Sequence, residues 1–396
     1  TRGGGSGVCG AVQAGADHVV LSTRALAGLV RLEPEDALAS FCAGTMGADA
    51  EERVRQDGFT IGHWPQSIAL STVGGWVATR AAGQFSTGYG SIEDLALALE
   101  VVLPDGAVLR TRETPRAAAG PDLRQLFLGS EGTLGVVTEV TFSLRALPEA
   151  SRGQALHFPS LEAGLAALRR VLRAGWRPPV VRLYDPRESR RGFREFVPRG
   201  RALLLLLHEG PAAAVEAELP AVEALCREGG GTPTDPGAVS QWLAHRNQVP
   251  SFRSFLEQGV VVDTIEVAAS WSRLPSLYER VVRSLGEVPG LLAATAHASH
   301  AYRSGANLYF SFAVKPADPR QIPAVYAECW RRTMEATLAA GGGIAHHHGV
   351  GRVRRGWLAQ ELGPAGAALL WKLKDAVDPD GLLNPGNLLP PRTTEP

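Results

Sequence analysis

The chain has 396 residues, 45% hydrophobic and 20% charged, enough for two or three ordinary domains around a large core. Forty Lys+Arg balance forty Asp+Glu, so no global field favours nucleic acid or an anionic membrane, and an anionic substrate needs a local cluster to grip it. Four scattered cysteines (Cys9, Cys42, Cys226, Cys329) include no CxxC pair, which argues against a structural zinc site and suits a reducing compartment.

The chain opens on Thr1-Arg2-Gly3, a glycine turn with no Met before it, and is expected to be a fragment. No signal peptide is visible, and no apolar run reaches the roughly 18 residues of a membrane span. Val19–Leu21 reads as a strand and Ala25–Val30 continues toward a second, while Glu35–Ala43 suits helix or strand. Leu95–Leu103 and Ala107–Arg110, joined through Pro104-Asp105-Gly106, predict a β-hairpin, because Asp-Gly supplies the positive φ of a tight turn. Gly135–Leu144 alternates as a strand.

From about Pro148 the texture changes. Leu161–Leu172 has helical apolar spacing, Val180–Leu183 and Leu203–Leu207 are strands, and Ala213–Cys226 is a helix stopped by Gly229-Gly230-Gly231. A second series follows: strand Val260–Val267, helix Leu274–Leu285, strand Leu308–Val314, and helix Ala324–Ala340 stopped by Gly341-Gly342-Gly343. The fold class is α+β, and this order predicts a ferredoxin-like antiparallel sheet covered by helices. The two series differ in sequence, so no repeat is read from them. A helix near Gly366–Val377 precedes the turns Asp378–Gly381 and Asn384–Asn387, and Pro391–Pro396 is expected to fray.

Three loops combine glycine with hydroxyl residues. Gly3, Gly4, Gly5, Ser6 and Gly7 form a nearly bare backbone whose N–H groups suit an anion nest, although a lone glycine run is more often a linker. No Gly-Lys-Ser/Thr follows, so it is no Walker loop. Gly62-His63-Trp64-Pro65-Gln66-Ser67 leads into Ser71-Thr72-Val73-Gly74-Gly75-Trp76-Val77-Ala78-Thr79-Arg80, read as a loop lying flat along a ligand or as an inter-domain turn. Glu131-Gly132-Thr133-Leu134-Gly135 runs into Val136 and Val137 at a strand start. Together the three raise the odds of one cofactor site.

His346-His347-His348 is internal and is followed by Arg352, Arg354 and Arg355. Three consecutive imidazoles cannot share one face, so they suit an oxyanion or phosphate better than a closed zinc site. His297-x-x-His300 invites a metal reading, but two residues do not make a site, and no metal is expected. Tyr309 falls in a predicted strand, where a tyrosine is more often packed than catalytic.

In this order the glycine loops, with Tyr89–Asp94, resemble the FAD loops of vanillyl-alcohol-oxidase-type flavoproteins. Gly-His-x-Pro-x-Ser, Ser-Thr-x-Gly-Gly-Trp and the histidine triplet are similar to those of the alkyl-dihydroxyacetonephosphate synthases. The resemblance implies an FAD-binding domain of the PCMH type over 1–147, its first part lying outside this chain, a cap domain over 148–340, and a C-terminal segment over 341–396. It implies an exchange of the acyl chain of acyl-dihydroxyacetonephosphate for a fatty alcohol, without net flavin redox change.

Carried over by position, Tyr309 would be the general acid/base, with a lowered pKa. His346, His347, His348 and Arg253 (Arg246 as fallback) would bind phosphate or orient the substrate, and His63 would sit near the flavin. The lipid substrates make contact with a membrane surface and a homodimer compatible expectations, and the lack of a peroxisomal tripeptide points to a bacterial-type cytoplasmic relative. The rivals are an FAD-linked 2-hydroxyacid dehydrogenase, in which a histidine stands where Tyr309 does, and a non-catalytic paralogue.

Overall fold

The computed structural model describes residues 1–249 and 251–392; of the tail expected to fray, Thr393–Pro396 lie outside the described residues. The chain divides into two compact units. The first comprises Thr1–Gly83, Tyr89–Leu147 and the chain from His347 onward, and the second comprises Gln84–Gly88 and Pro148–His346.

The first unit holds a five-stranded antiparallel sheet in the order Leu29–Glu33, Leu38–Cys42, Val136–Ser143, Ala96–Val102, Val108–Arg110. The hairpin predicted at Asp105-Gly106 forms, with Gly106 at φ 86°. The open stretch Glu35–Ala43 resolves as the strand Leu38–Cys42. Val19–Leu21 is not a strand: Val19 is 96% exposed, and Leu21 only accepts the Arg2 amide at 2.8 Å. The first strand begins later, at Leu29.

The expected flat loop after Ser71 is also corrected, because Val73–Thr79 is a helix. Two adjacent glycines and β-branched residues make a poor helix by propensity. Here Thr72 caps it by accepting the Gly75 amide, Trp76 is buried against Phe142, and Arg80 ends it at φ 52°. The long helix Arg355–Val377 breaks at Gly363 (φ 69°) before Pro364, and the predicted Gly366–Val377 helix lies in its second half.

The second unit is built on a seven-stranded antiparallel sheet. Its order is Thr232–Thr234, Ala150–Phe158, Ala202–Gly210, Val180–Tyr184, Leu291–Ala298, Gly305–Val314, Val261–Ser270. The first four strands follow the ferredoxin-like order, and the last three repeat it read in the opposite direction across the sheet, with the Ala268–Gly343 bridge in the place of the fourth. The repeat is one of topology, which is why the sequence does not display it.

Leu161, Leu165, Leu168 and Leu172 form one buried stripe of helix Leu161–Arg173, capped by Ser160. Leu274, Leu277, Val281 and Leu285 do the same on helix Leu274–Gly286. In strand Gly305–Val314 the fully buried Leu308, Phe310 and Phe312 alternate with Tyr309 and Ser311, so those two side chains project from the opposite face.

Five residues from the first unit's stretch of sequence, Gln84–Gly88, belong to this second unit. Gln84 and Arg246 exchange two hydrogen bonds at 2.9 Å, Phe85 lies under the Arg246 guanidinium, and Thr87 Oγ1 accepts the Ala301 amide. Gln84, Ser86 and Thr87 thus fasten this strap to Arg246, His300 and Ala301.

Candidate active site

In the first unit the three glycine loops converge on the Val73–Thr79 helix. A Cβ at Gly4 would lie 2.1 Å from the Leu70 carbonyl oxygen and one at Gly3 would lie 2.3 Å from Thr72 Oγ1, so only bare backbone reaches the start of that helix. Ser67 accepts the Ser71 amide and hydroxyl, and Ser71 Oγ in turn takes the Trp76 indole N–H at 2.8 Å. At the helix's other end, Val77 accepts the Gly129 amide and Ala78 the Glu131 amide, while Thr79 closes its own turn through Gly75. One short helix thereby fixes all three loops. Gln66 is exposed, and Arg80 pairs with Glu93 at 3.4 Å.

Glu131 is 5% exposed and takes the left-handed conformation at φ 51°. Its carboxylate accepts the amides of Val350 (2.6 Å) and Gly351 (2.9 Å) and the Asn387 side-chain N–H (2.8 Å). Burial raises its pKa, against the lowering by these hydrogen bonds and by Arg354. Gly132, Thr133 and Leu134 continue the loop, and Thr133 donates to the Ser130 carbonyl. Gly135 packs under Val101 where Val136 and Val137 enter the sheet.

His63 is fully buried beside Trp76, with ring centroids 4.6 Å apart. Neither ring nitrogen has a partner among the described residues, and burial pushes its pKa down to about 3, so it is a neutral imidazole. His347 and His348 are half-buried and meet edge to face at 4.5 Å.

In the second unit the strand register sets Glu266, Tyr309, His297 and Tyr184 in one row across four strands. Tyr309 Oη lies 2.9 Å from Thr264 Oγ1, and its ring stacks on His297 at 4.9 Å. The lowered phenol pKa expected for Tyr309 is corrected. Burial raises it and Glu266 adds to that, while Thr264 and Arg182 work in the opposite direction. Its resting form is therefore the neutral phenol. His297 bridges Glu188 (3.1 Å) and Arg182 (3.2 Å), and the Arg182 guanidinium also lies over the Trp242 ring.

Beside this row, His300 Nδ1 is 2.6 Å from Ser86 Oγ, and its ring stacks on His346. His346 Nε2 is 2.9 Å from Tyr302 Oη, and its amide donates to Glu266 at 2.5 Å. Asn307 Oδ1 accepts the amides of Ser299 and His300, which fixes the backbone beneath that ring.

Arg253 does not join the row. It sits on a one-turn helix, highly exposed, paired with Glu257 at 2.9 Å. Arg246 is held by the strap. The guanidinium in the row is that of Arg182, which the sequence reading missed. Its signal was an arginine inside an otherwise apolar strand, Val180-Val181-Arg182-Leu183-Tyr184.

Residues 147–388 match the family described as FAD linked oxidases, C-terminal domain, and residues 1–112 match the FAD binding domain. The chain belongs to the FAD-linked oxidases. It is 34% identical over 388 residues to an uncharacterized FAD-linked oxidoreductase, YgcU, of Escherichia coli strain K12, covering 94% of this chain and 80% of that one. It is 31% identical over 431 residues to the alkyldihydroxyacetonephosphate synthase of Trypanosoma brucei brucei, covering 99% and 69%. A solved alkyldihydroxyacetonephosphate synthase structure superposes with a TM-score of 0.78 at 27% identity, covering 97% of this chain and 70% of that one.

FAD is the cofactor of this FAD-linked oxidase, and residues 1–112 match its FAD binding domain. The loops fit such a group on their own chemistry. The consecutive backbone N–H groups of Gly3–Gly7 donate to no acceptor among the described residues, which leaves a row of donors for a pyrophosphate. Among the described residues no helix is long and apolar enough to cross a membrane.

Proposed function

We propose that this FAD-linked oxidase exchanges the acyl chain of acyl-dihydroxyacetonephosphate for a fatty alcohol, yielding an ether bond and a free fatty acid. The observation that carries the reading is Tyr309, a neutral phenol bonded to Thr264 and stacked on His297, which Arg182 reaches, at the position where a 2-hydroxyacid dehydrogenase would carry histidine. The named synthase relatives support the same substrate class. FAD would supply the electrophilic ring chemistry that an exchange of oxygen substituents at the substrate carbon requires.

Tyr309 Oη holds and returns the proton that moves at the substrate carbon. The raised pKa makes it a donor at rest, and it becomes a base only when positive charge stabilises the phenolate. Arg182, rather than Arg253, supplies that charge and steadies the phosphate, with His346 as a further donor. Gly3–Gly7, the Gln66–Arg80 segment and Glu131–Val137 hold the cofactor, and His63 lies close to it.

The test is to incubate the FAD-loaded chain with acyl-dihydroxyacetonephosphate and labelled hexadecanol. Labelled ether product is expected. Its absence, together with flavin bleaching by D-lactate, would replace this reading with the dehydrogenase one.

A further inference from the structure

His297 has two ring nitrogens and two partners that cannot be treated alike. Arg182 can only donate, and its Nη1 lies 3.2 Å from His297 Nε2, so Nε2 must present a lone pair. The ring proton then sits on Nδ1, which donates to Glu188 Oε1 at 3.1 Å. A doubly protonated ring would set an N–H against the guanidinium, donor against donor. The proximity of His297 to Glu188 is therefore a hydrogen bond from a neutral imidazole and not an ion pair.

Glu188 is itself well placed to hold that tautomer. Burial works to raise its pKa, while the hydrogen bond with His297 and the Arg191 and Arg182 guanidinium groups work to lower it. Helix Pro186–Gly192, which carries Glu188, is anchored by Asp185. Its Oδ1 caps the Glu188 amide at 2.8 Å, and its Oδ2 accepts the Ala296 amide and the Tyr278 hydroxyl. The charged and titratable groups around His297 are Arg182 and Tyr184 on one strand, Glu188 and Arg191 on that helix, and Tyr309 on the other neighbouring strand.

Arg182 Nε is buried without a partner among the described residues, and the guanidinium is held by His297, Tyr184 and the Trp242 ring, with the Glu188 charge nearby. We infer that His297 is a positioning residue: as a neutral Nδ1–H imidazole locked by Glu188, it accepts from Arg182 and holds that guanidinium in the Tyr309 row. The one positive charge next to the phenol is then carried by Arg182, while the ring stacked on Tyr309 stays uncharged. The kinetic consequence rests on the reading of Tyr309 as the proton-transferring residue.

Two measurements on the FAD-loaded full chain test this. In ¹⁵N-histidine NMR at pH 7, the ring signals lost in His297→Gln should be those of a neutral Nδ1–H imidazole. If that variant folds poorly, Glu188→Gln identifies the same signals by shifting them. A doubly protonated ring, or the Nε2–H tautomer, overturns the inference.

In the ether-forming assay, glutamine can donate to Glu188 and accept from Arg182, whereas lysine can only donate. His297→Ala should lower kcat about 30-fold and His297→Lys about 100-fold, and His297→Gln should recover to within about fivefold of the parent. Glutamine no better than lysine overturns the positioning role. Should the parent chain form no ether at all, the proposed function falls, and the NMR arm still decides the state of His297.

Discussion

The Glu131 carboxylate occupies the space that a side chain at Gly349 would need: a Cβ built on Gly349 lies 2.5 Å from Glu131 Oε1. The two residues are 218 apart in sequence, and between them they tie the third glycine loop to the segment that follows the histidine triplet. Glu131→Gln should show what this tie is worth. Its amide would turn one N–H toward the donors of Gly351 or Asn387, at a cost of about 1–3 kcal/mol in stability. Chemical denaturation measures that cost, and faster release of fluorescent FAD should accompany it. A variant with parental stability and flavin retention would mean that the tie is incidental.

His63 predicts acid sensitivity. Its pKa is about 3 in the folded protein against an ordinary value of 6.5, so below pH 6.5 the unfolded chain binds a proton that the folded chain refuses. Stability is therefore complete above pH 6.5 and falls as the pH drops toward 3, by about 2 kcal/mol at pH 5. His63→Leu, which has no proton to bind, should lose less stability than the parent between pH 7 and pH 5. Equal losses in urea titrations of the two proteins would count against a neutral buried His63.

Tyr309→Phe removes one hydroxyl and its hydrogen bond to Thr264 while leaving the ring stacked on His297. Stability should change by about 1 kcal/mol, whereas kcat for ether formation should fall about 10²–10⁴-fold with flavin still bound. Turnover near the parental rate would remove Tyr309 from the chemistry.

The two arginines separate cleanly. Arg253→Ala breaks one exposed pair and should alter stability by less than about 0.5 kcal/mol and turnover by less than about twofold. Arg182→Ala should cost about 100-fold in kcat/KM, because it removes the guanidinium from the Tyr309 row. The reverse ranking in a steady-state assay would restore Arg253 to the role that the resemblance implies for it.

Most elements were legible where local chemistry and tertiary context agree. The Asp105-Gly106 turn and the leucine run of Ala202–Gly210 are strong in both respects. Strand Ala150–Phe158 escaped because Ser151, Arg152 and Gln154 dilute its apolar pattern, and Leu291–Ala298 escaped because it is half alanine, a weak strand former. The Val73–Thr79 helix was hidden because its stability comes from Trp76 and the Thr72 cap rather than from propensity. FAD as the cofactor was readable through resemblance, from the three glycine loops taken as a set. Arg182 was not, because its meaning depends on the His297 and Tyr309 strands, which lie more than a hundred residues away.

The strap Gln84–Gly88 sets a schedule for the protein's birth. Ser86 leaves the ribosome 214 residues before His300, the ring it will touch. At about 5–20 residues per second, that is roughly 10–40 s during which the strap has no sheet to join. The first unit cannot complete its own stretch of chain either, since its last portion is synthesised after the whole second unit. The second unit is therefore fully synthesised at His346, while the first waits for the residues from His347 onward.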